Sequence, residues 1–224
     1  KGVQSVRTAV DFLVASGARV IKISVGDTTG GGTIPDMKEN KSTLNDEELK
    51  AIVEQAHSHG LHVAAHAITD RAAMRAANAD ADVLAHTPTI YLSEATVAAW
   101  SKRALISTLA AFKNVPLAVD NLRRLREAGT TILYGTDLGY TTIPAINIEE
   151  LELLSKAGLD GDAILASVTE SPAKFWGFEG LGRIKEGGRA NLLILDADPR
   201  EDLSSLTRPV AIYVDGVDLK SKEQ

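Results

Sequence analysis

Residues 19–25 read Arg19-Val20-Ile21-Lys22-Ile23-Ser24-Val25, a β-branched run with a lysine at its centre. Branched side chains suit a pleated surface, so the run predicts a buried strand. Alternate residues of a strand share a face, which sets Lys22 opposite Ile21 and Ile23. Ahead of it, Val3, Val6, Val10, Leu13 and Val14 recur at helical spacing over residues 3–16, and Gly17 closes that helix. A helix leading into a strand is half of a repeating unit.

The unit recurs along the chain. The glycine-rich stretch Gly26 to Thr33 reads as a loop. Asn45-x-x-Glu48 is a capping box that opens a helix carrying Leu49, Ile52, Val53 and Ala56, stopped by Gly60. Strands are expected at 61–67, 82–86, 104–109 and 130–134, and helices at 70–79, 117–128, 147–157 and 160–169. Ser171-Pro172 signals the start of one more short helix. After Gly180 the texture changes, and residues 191–196 and 210–214 read as short strands of a separate β element. Strands alternating with helices argue for a parallel sheet of βα units. Periodicity alone leaves open whether that sheet is part of a barrel or an open, doubly wound sheet.

Polar residues at the strand ends carry the next step. A strand buried on both faces should be apolar, yet four of the five carry a titratable residue in the strand or just after it: Lys22, His66, His86 and Asp137. In a (β/α) barrel the C-terminal strand ends meet on one face, where the active site lies. A bare ammonium buried at Lys22 would be costly, so it needs a carboxylate partner or carbamylation by carbon dioxide, which makes it an anionic ligand. Alternatively Lys22 snorkels to solvent. His66 ends Leu61-His62-Val63-Ala64-Ala65-His66, and His86 repeats the pattern one unit later. A single such histidine is more often a hydrogen-bonded core residue, but the repetition favours metal binding, since neutral imidazoles suit zinc and similar ions. Asp137 follows Thr131 to Thr136; it is either a turn residue or a ligand and proton acceptor.

Other candidates weigh less. His57 and His59 lie two apart in a last helical turn, where side chains diverge, so they are expected to serve the helix C-terminus. His62 sits at the start of its strand, remote from the strand-end face. Gly26 to Gly32 lacks the lysine and spacing of a phosphate loop, and a lid is the better reading. Tyr140 could touch a substrate or simply be an exposed loop residue.

Composition narrows the function classes. The chain has 224 residues, a formal net charge of −6 and no cysteine. Without a basic cluster, no nucleic-acid partner is expected. Disulfides and thiolate metal sites are excluded. No apolar run is long enough to span a bilayer, so no membrane partner is expected, and the protein is taken as soluble and cytoplasmic by default.

Together these residues resemble the amidohydrolase superfamily. Val20-Ile21-Lys22-Ile23, His62-Val63-Ala64-Ala65-His66-Ala67, Asp82-Val83-Leu84-Ala85-His86-Thr87 and Tyr134-Gly135-Thr136-Asp137 stand in that superfamily's order. The closing run Thr169 to Gly177, then Gly182 to Pro199, is similar to its closing segment, although Asn191 stands where an aspartate is usual. The resemblance implies a (β/α)8 TIM-type barrel, here from about strand four to strand eight over residues 1–178. Residues 179–224 would supply the C-terminal part of a small β-sandwich.

The resemblance further implies a pair of divalent metals, zinc foremost with manganese, cobalt or iron as alternatives. Lys22 would be the carbamylated bridging ligand, His66 and His86 ligands of one metal, and Asp137 a ligand of the other. Asp137 would also be the catalytic base and then the acid to the leaving nitrogen. The lysine-containing pattern is most similar to the prolidase-like dipeptidases and related amide hydrolases, which implies a small amide or dipeptide substrate. It is less like the imidazolonepropionases. No H-x-H precedes Lys22, so a truncated gene product or proteolytic remnant is expected, lacking full metal occupancy and activity alone. The rival reading is a non-catalytic half-barrel scaffold that self-associates as a homo-oligomer; a nucleotide-binding open sheet lacks any phosphate fingerprint.

Overall fold

The computed structural model describes residues 2–25, 44–112, 116–139 and 145–219. The expected glycine-rich lid at 26–33 and Tyr140 lie outside these residues. Contacts divide the chain into two compact units: Lys1–Ile106 with Val115–Thr131, and Ser107–Asn114 with Ile132–Gln224.

In the first unit, α1 (Val3–Ala15) leads into β1 (Val20–Ser24), and α2 (Asp46–Ser58) into β2 (His62–His66). Then come α3 (Asp70–Asn78), β3 (Val83–Leu84), α4 (Glu94–Trp100), β4 (Ala104–Ile106) and α5 (Pro116–Glu127). The strands run β1-β2-β3-β4-β5 across the sheet in chain order, β5 being Thr131–Leu133. Pairing is parallel from β1 to β4, with Lys22 beside Ala64, Ser24 beside His66, and Val83 beside Ala104. Thr131, the first residue of β5, donates its amide to the Arg103 carbonyl at 2.8 Å. This is the βα succession the sequence predicts.

Local chemistry explains the element ends. Asn45 caps α2 and forms the expected capping box with Glu48. Thr69 and Ser93 cap α3 and α4 by accepting the amides of Ala72 and Thr96. Helix α4 was not expected; its signals are the Ser93 cap and Trp100, which is fully buried and donates to the Ala73 carbonyl at 3.0 Å. Helix α3 buries Ala72, Ala73, Ala76 and Ala77, short side chains that allow close packing, and it contacts α4. The strand expected at 104–109 ends at Ile106, because Thr108 takes a left-handed φ of 48° that no ladder accommodates.

The second unit holds a 3-10 turn at Leu109–Phe112, helices α6 (Ile148–Lys156), α7 (Gly161–Val168) and α8 (Glu170–Phe175), and strands β6 (Leu192–Ile194), β7 (Ala211–Val214) and β8 (Val217–Asp218). The last three form an antiparallel sheet in the order β6-β7-β8. Helix α8 starts at Glu170, ahead of the Ser171-Pro172 start expected from sequence. Pro172 therefore sits in the first turn, where amides have no intrahelical acceptor and a missing N–H costs nothing. No helix among the described residues is long and apolar enough to cross a membrane.

Candidate metal centre

Strand β1 alternates as the sequence requires. Ile21 and Ile23 are buried, while Lys22 and Ser24 lie on the other, exposed face. Among the described residues that face of β1 is uncovered at Lys22, as in the reading in which the side chain reaches solvent.

His66 is the last residue of β2, and His86 lies two residues beyond β3. The ladder continues past the end of β3, with the Ala85 amide donating to the Ala65 carbonyl at 2.9 Å, so the two segments stay in register up to the histidines. Their imidazoles meet edge to face, with ring centroids 4.9 Å apart and planes at 72°. His86 is buried and His66 half-buried. Burial, then the neighbouring His66 and the positive charge of Lys22, push the His86 pKa down to about 3. Its imidazole is therefore neutral at physiological pH, the form in which a histidine ligates a metal. The structure thus brings Lys22, His66 and His86 together within the first unit.

The loop after His86 is held from behind. Asn121 of α5 is fully buried, and its Nδ2 donates to the carbonyls of Pro88 at 2.9 Å and Ile90 at 2.8 Å. Its Oδ1 accepts the Leu92 amide at 3.2 Å. Sequence reasoning missed Asn121; the signal was an amide beside Leu122 on the apolar face of a helix.

Asp137 belongs to the second unit, four residues beyond β5. It is half-buried with a left-handed φ of 50°, a conformation costly for a residue with a Cβ. The remaining histidines serve other ends. His57 Nε2 lies 2.9 Å and His62 Nδ1 3.4 Å from the Asp82 carboxylate, which also accepts the Val63 amide. His59 Nε2 meets Asp11 at 2.7 Å. His57 and His59 also stand at the C-terminal end of α2 as expected, His57 in its last turn and His59 as its C-cap residue. A hollow of about 730 Å³ in the second unit is lined by Leu165, Pro172, Phe178 and Leu192 among others, and holds none of the four predicted residues.

Among the described residues, no three His, Cys, Asp or Glu side chains gather into one metal-binding group. Two neighbouring imidazoles beside a lysine do fit part of a donor set, with one imidazole held neutral by its surroundings.

Comparison with solved structures places the fold among the amidohydrolase TIM-barrel proteins. A Xaa-Pro dipeptidase with bound methionine is 26% identical with a TM-score of 0.84, covering 97% of this chain and 58% of that one. A putative prolidase from Bifidobacterium longum is 25% identical with a TM-score of 0.78, covering 97% and 59%. Residues 15–217 match the amidohydrolase family model, and the chain belongs to the amidohydrolase family. A curated relative, ochratoxinase from Aspergillus niger, is 26% identical over 233 aligned residues, covering 94% of this chain and 48% of the relative. An uncharacterised protein of Mycobacterium bovis is 27% identical over 195, covering 77% and 51%. The chain spans about half the length of the curated relatives it matches. Members of the family generally use divalent metals.

Proposed function

We propose that the protein carrying this chain is a metal-dependent hydrolase of carbon–nitrogen bonds whose substrate is a small amide, of the dipeptide or N-acyl amino acid kind. The observation that carries the reading is the meeting of His66 and His86 beside Lys22 at the ends of neighbouring parallel strands. Family membership and the likeness to dipeptidase and prolidase structures support it.

His66 and His86 would hold a metal through ring nitrogens. Lys22, solvent-exposed, is open to carbamylation by carbon dioxide, which turns its amine into a carboxylate donor. The ions we assign are a pair of zincs, with manganese, cobalt or iron as substitutes of the same ligand chemistry. Bound there, a divalent metal supplies Lewis acidity and lowers the pKa of a water. Asp137 is a further ligand and the general base: its carboxylate takes the proton from the attacking water and returns it to the departing amine nitrogen.

The test is elemental analysis with amide hydrolysis assays on wild type and Asp137→Ala. Near-stoichiometric metal with activity lost in the variant supports the hydrolase. Metal-free, inactive wild type supports a non-catalytic scaffold instead, and full activity in the variant removes Asp137 from the mechanism.

A further inference from the structure

Glu150 stands at the third position of α6, where a glutamate often bonds back to the cap residue. Here Asn147 caps the helix alone, accepting the Glu149 amide at 2.9 Å, and Glu150 turns elsewhere. Its side chain is fully buried. Oε2 accepts the Ala110 amide at 2.6 Å, while Oε1 has no hydrogen-bond partner among the described residues. The Ser107 hydroxyl and Leu109 amide also face the carboxylate and favour its charged form, but burial outweighs them and pushes its pKa up. A carboxyl is costly to bury, so its place needs a reason.

The reason lies in what it holds. Ala110 lies two residues after Thr108, a β-branched residue at a φ of 48°. Such a conformation persists only where its surroundings over-determine it. Fully buried Ser107, just before Thr108, donates its amide to the Leu133 carbonyl at 2.9 Å, and its hydroxyl receives the Gly135 amide at 3.4 Å. Gly135 is two residues ahead of Asp137. The cap residue of the same helix, Asn147, donates its amide to the Tyr134 hydroxyl at 2.7 Å. The start of α6 therefore grips both the turn after β4 and the segment that leads to Asp137, all within the second unit.

We propose that Glu150 is a positioning residue for Asp137: its buried carboxyl fixes the Ser107–Phe112 turn, and that turn fixes the backbone carrying the Asp137 carboxylate. The catalytic half of this inference rests on the reading of Asp137 as the base.

The test combines amide hydrogen exchange on the full chain with steady-state kinetics on the metal-loaded protein, for Glu150→Ala, Glu150→Gln and Ser107→Ala. Glu150→Ala is expected to speed exchange at both Ala110 and Gly135 by about tenfold or more, leaving β1 to β3 unchanged. Glu150→Gln keeps an acceptor oxygen and restores protection at both amides. In kinetics, Glu150→Ala lowers kcat by about 10- to 100-fold with KM nearly constant, and Glu150→Gln recovers most of it. Faster exchange at Ala110 with none at Gly135 overturns the proposal, and so does an unchanged kcat. Should Glu150→Ala not fold, Ser107→Ala decides the same point at Gly135. The coupled exchange pattern together with a fully active Asp137→Ala variant instead overturns the base reading alone, so the two failures are distinguishable.

Discussion

The rings of His66 and His86 stand 4.9 Å apart although twenty residues separate them in the chain, because β2 and β3 are paired in register and both residues sit at the strand ends. A metal held between such groups depends on both. Replacing either histidine by alanine should weaken metal binding by at least about 100-fold, beyond what loss of an outer-shell partner costs. Chelator competition measures it; unchanged affinity in both variants would remove the pair from the metal site.

The same burial that keeps His86 neutral makes stability depend on pH. Its folded pKa, about 3, lies below the ordinary value of 6.5. Below pH 6.5 the unfolded chain takes up a proton that the folded chain refuses, so this contribution is complete above pH 6.5 and declines as pH falls toward 3. The slope approaches about 1.4 kcal/mol per pH unit in that window. Urea unfolding of the metal-free protein at pH 7 and pH 4.5 should show a smaller loss for His86→Gln than for wild type. An equal loss in both would contradict the sign argued here.

Asn121→Ala should destabilise the protein by about 2–4 kcal/mol, since it leaves the Pro88 and Ile90 carbonyls and the Leu92 amide without their side-chain partner. Asn121→Asp keeps the acceptor and loses both donors, and should be no better. Denaturation midpoints measure both, and a cost under about 0.5 kcal/mol would mean that water replaces the amide.

Gly182 has a φ of 80°, and a Cβ there would meet Ala173 Cβ and the Thr169 carbonyl oxygen at 2.8 Å each. Gly182→Ala should cost about 2–4 kcal/mol from left-handed strain and overpacking together. The variant should show a lower urea midpoint, whereas Gly187→Ala, with φ 74° but open space, isolates the strain alone.

The alternation of strands and helices was legible because the strands are short, largely apolar runs and each helix has a cap or a glycine stop. Lys22 stood out in the sequence because it breaks an apolar strand, and His66 and His86 because each closes one; their meeting in the fold follows from the pairing of β2 and β3. What the sequence hid were relations fixed by tertiary contact. Helix α4 is short enough that its period barely repeats, and the burial of Trp100, with the Ser93 cap, explains its place. Glu150 looks like an ordinary first-turn acid, and nothing in its neighbours announces that it reaches Ala110, forty residues away. The surroundings of Lys22 stayed open in the sequence because a strand pattern tells which residues share a face, and what covers that face is decided elsewhere.

The histidines stand on backbone ladder rungs, and the segment from Pro88 to Leu92 is gripped by a helix arriving from behind. Anchorage of the donors and shape of the surrounding segments are thus supplied by separate parts of the chain. Substitutions between Pro88 and Leu92 can therefore reshape that segment without disturbing the ladder that sets the two rings side by side.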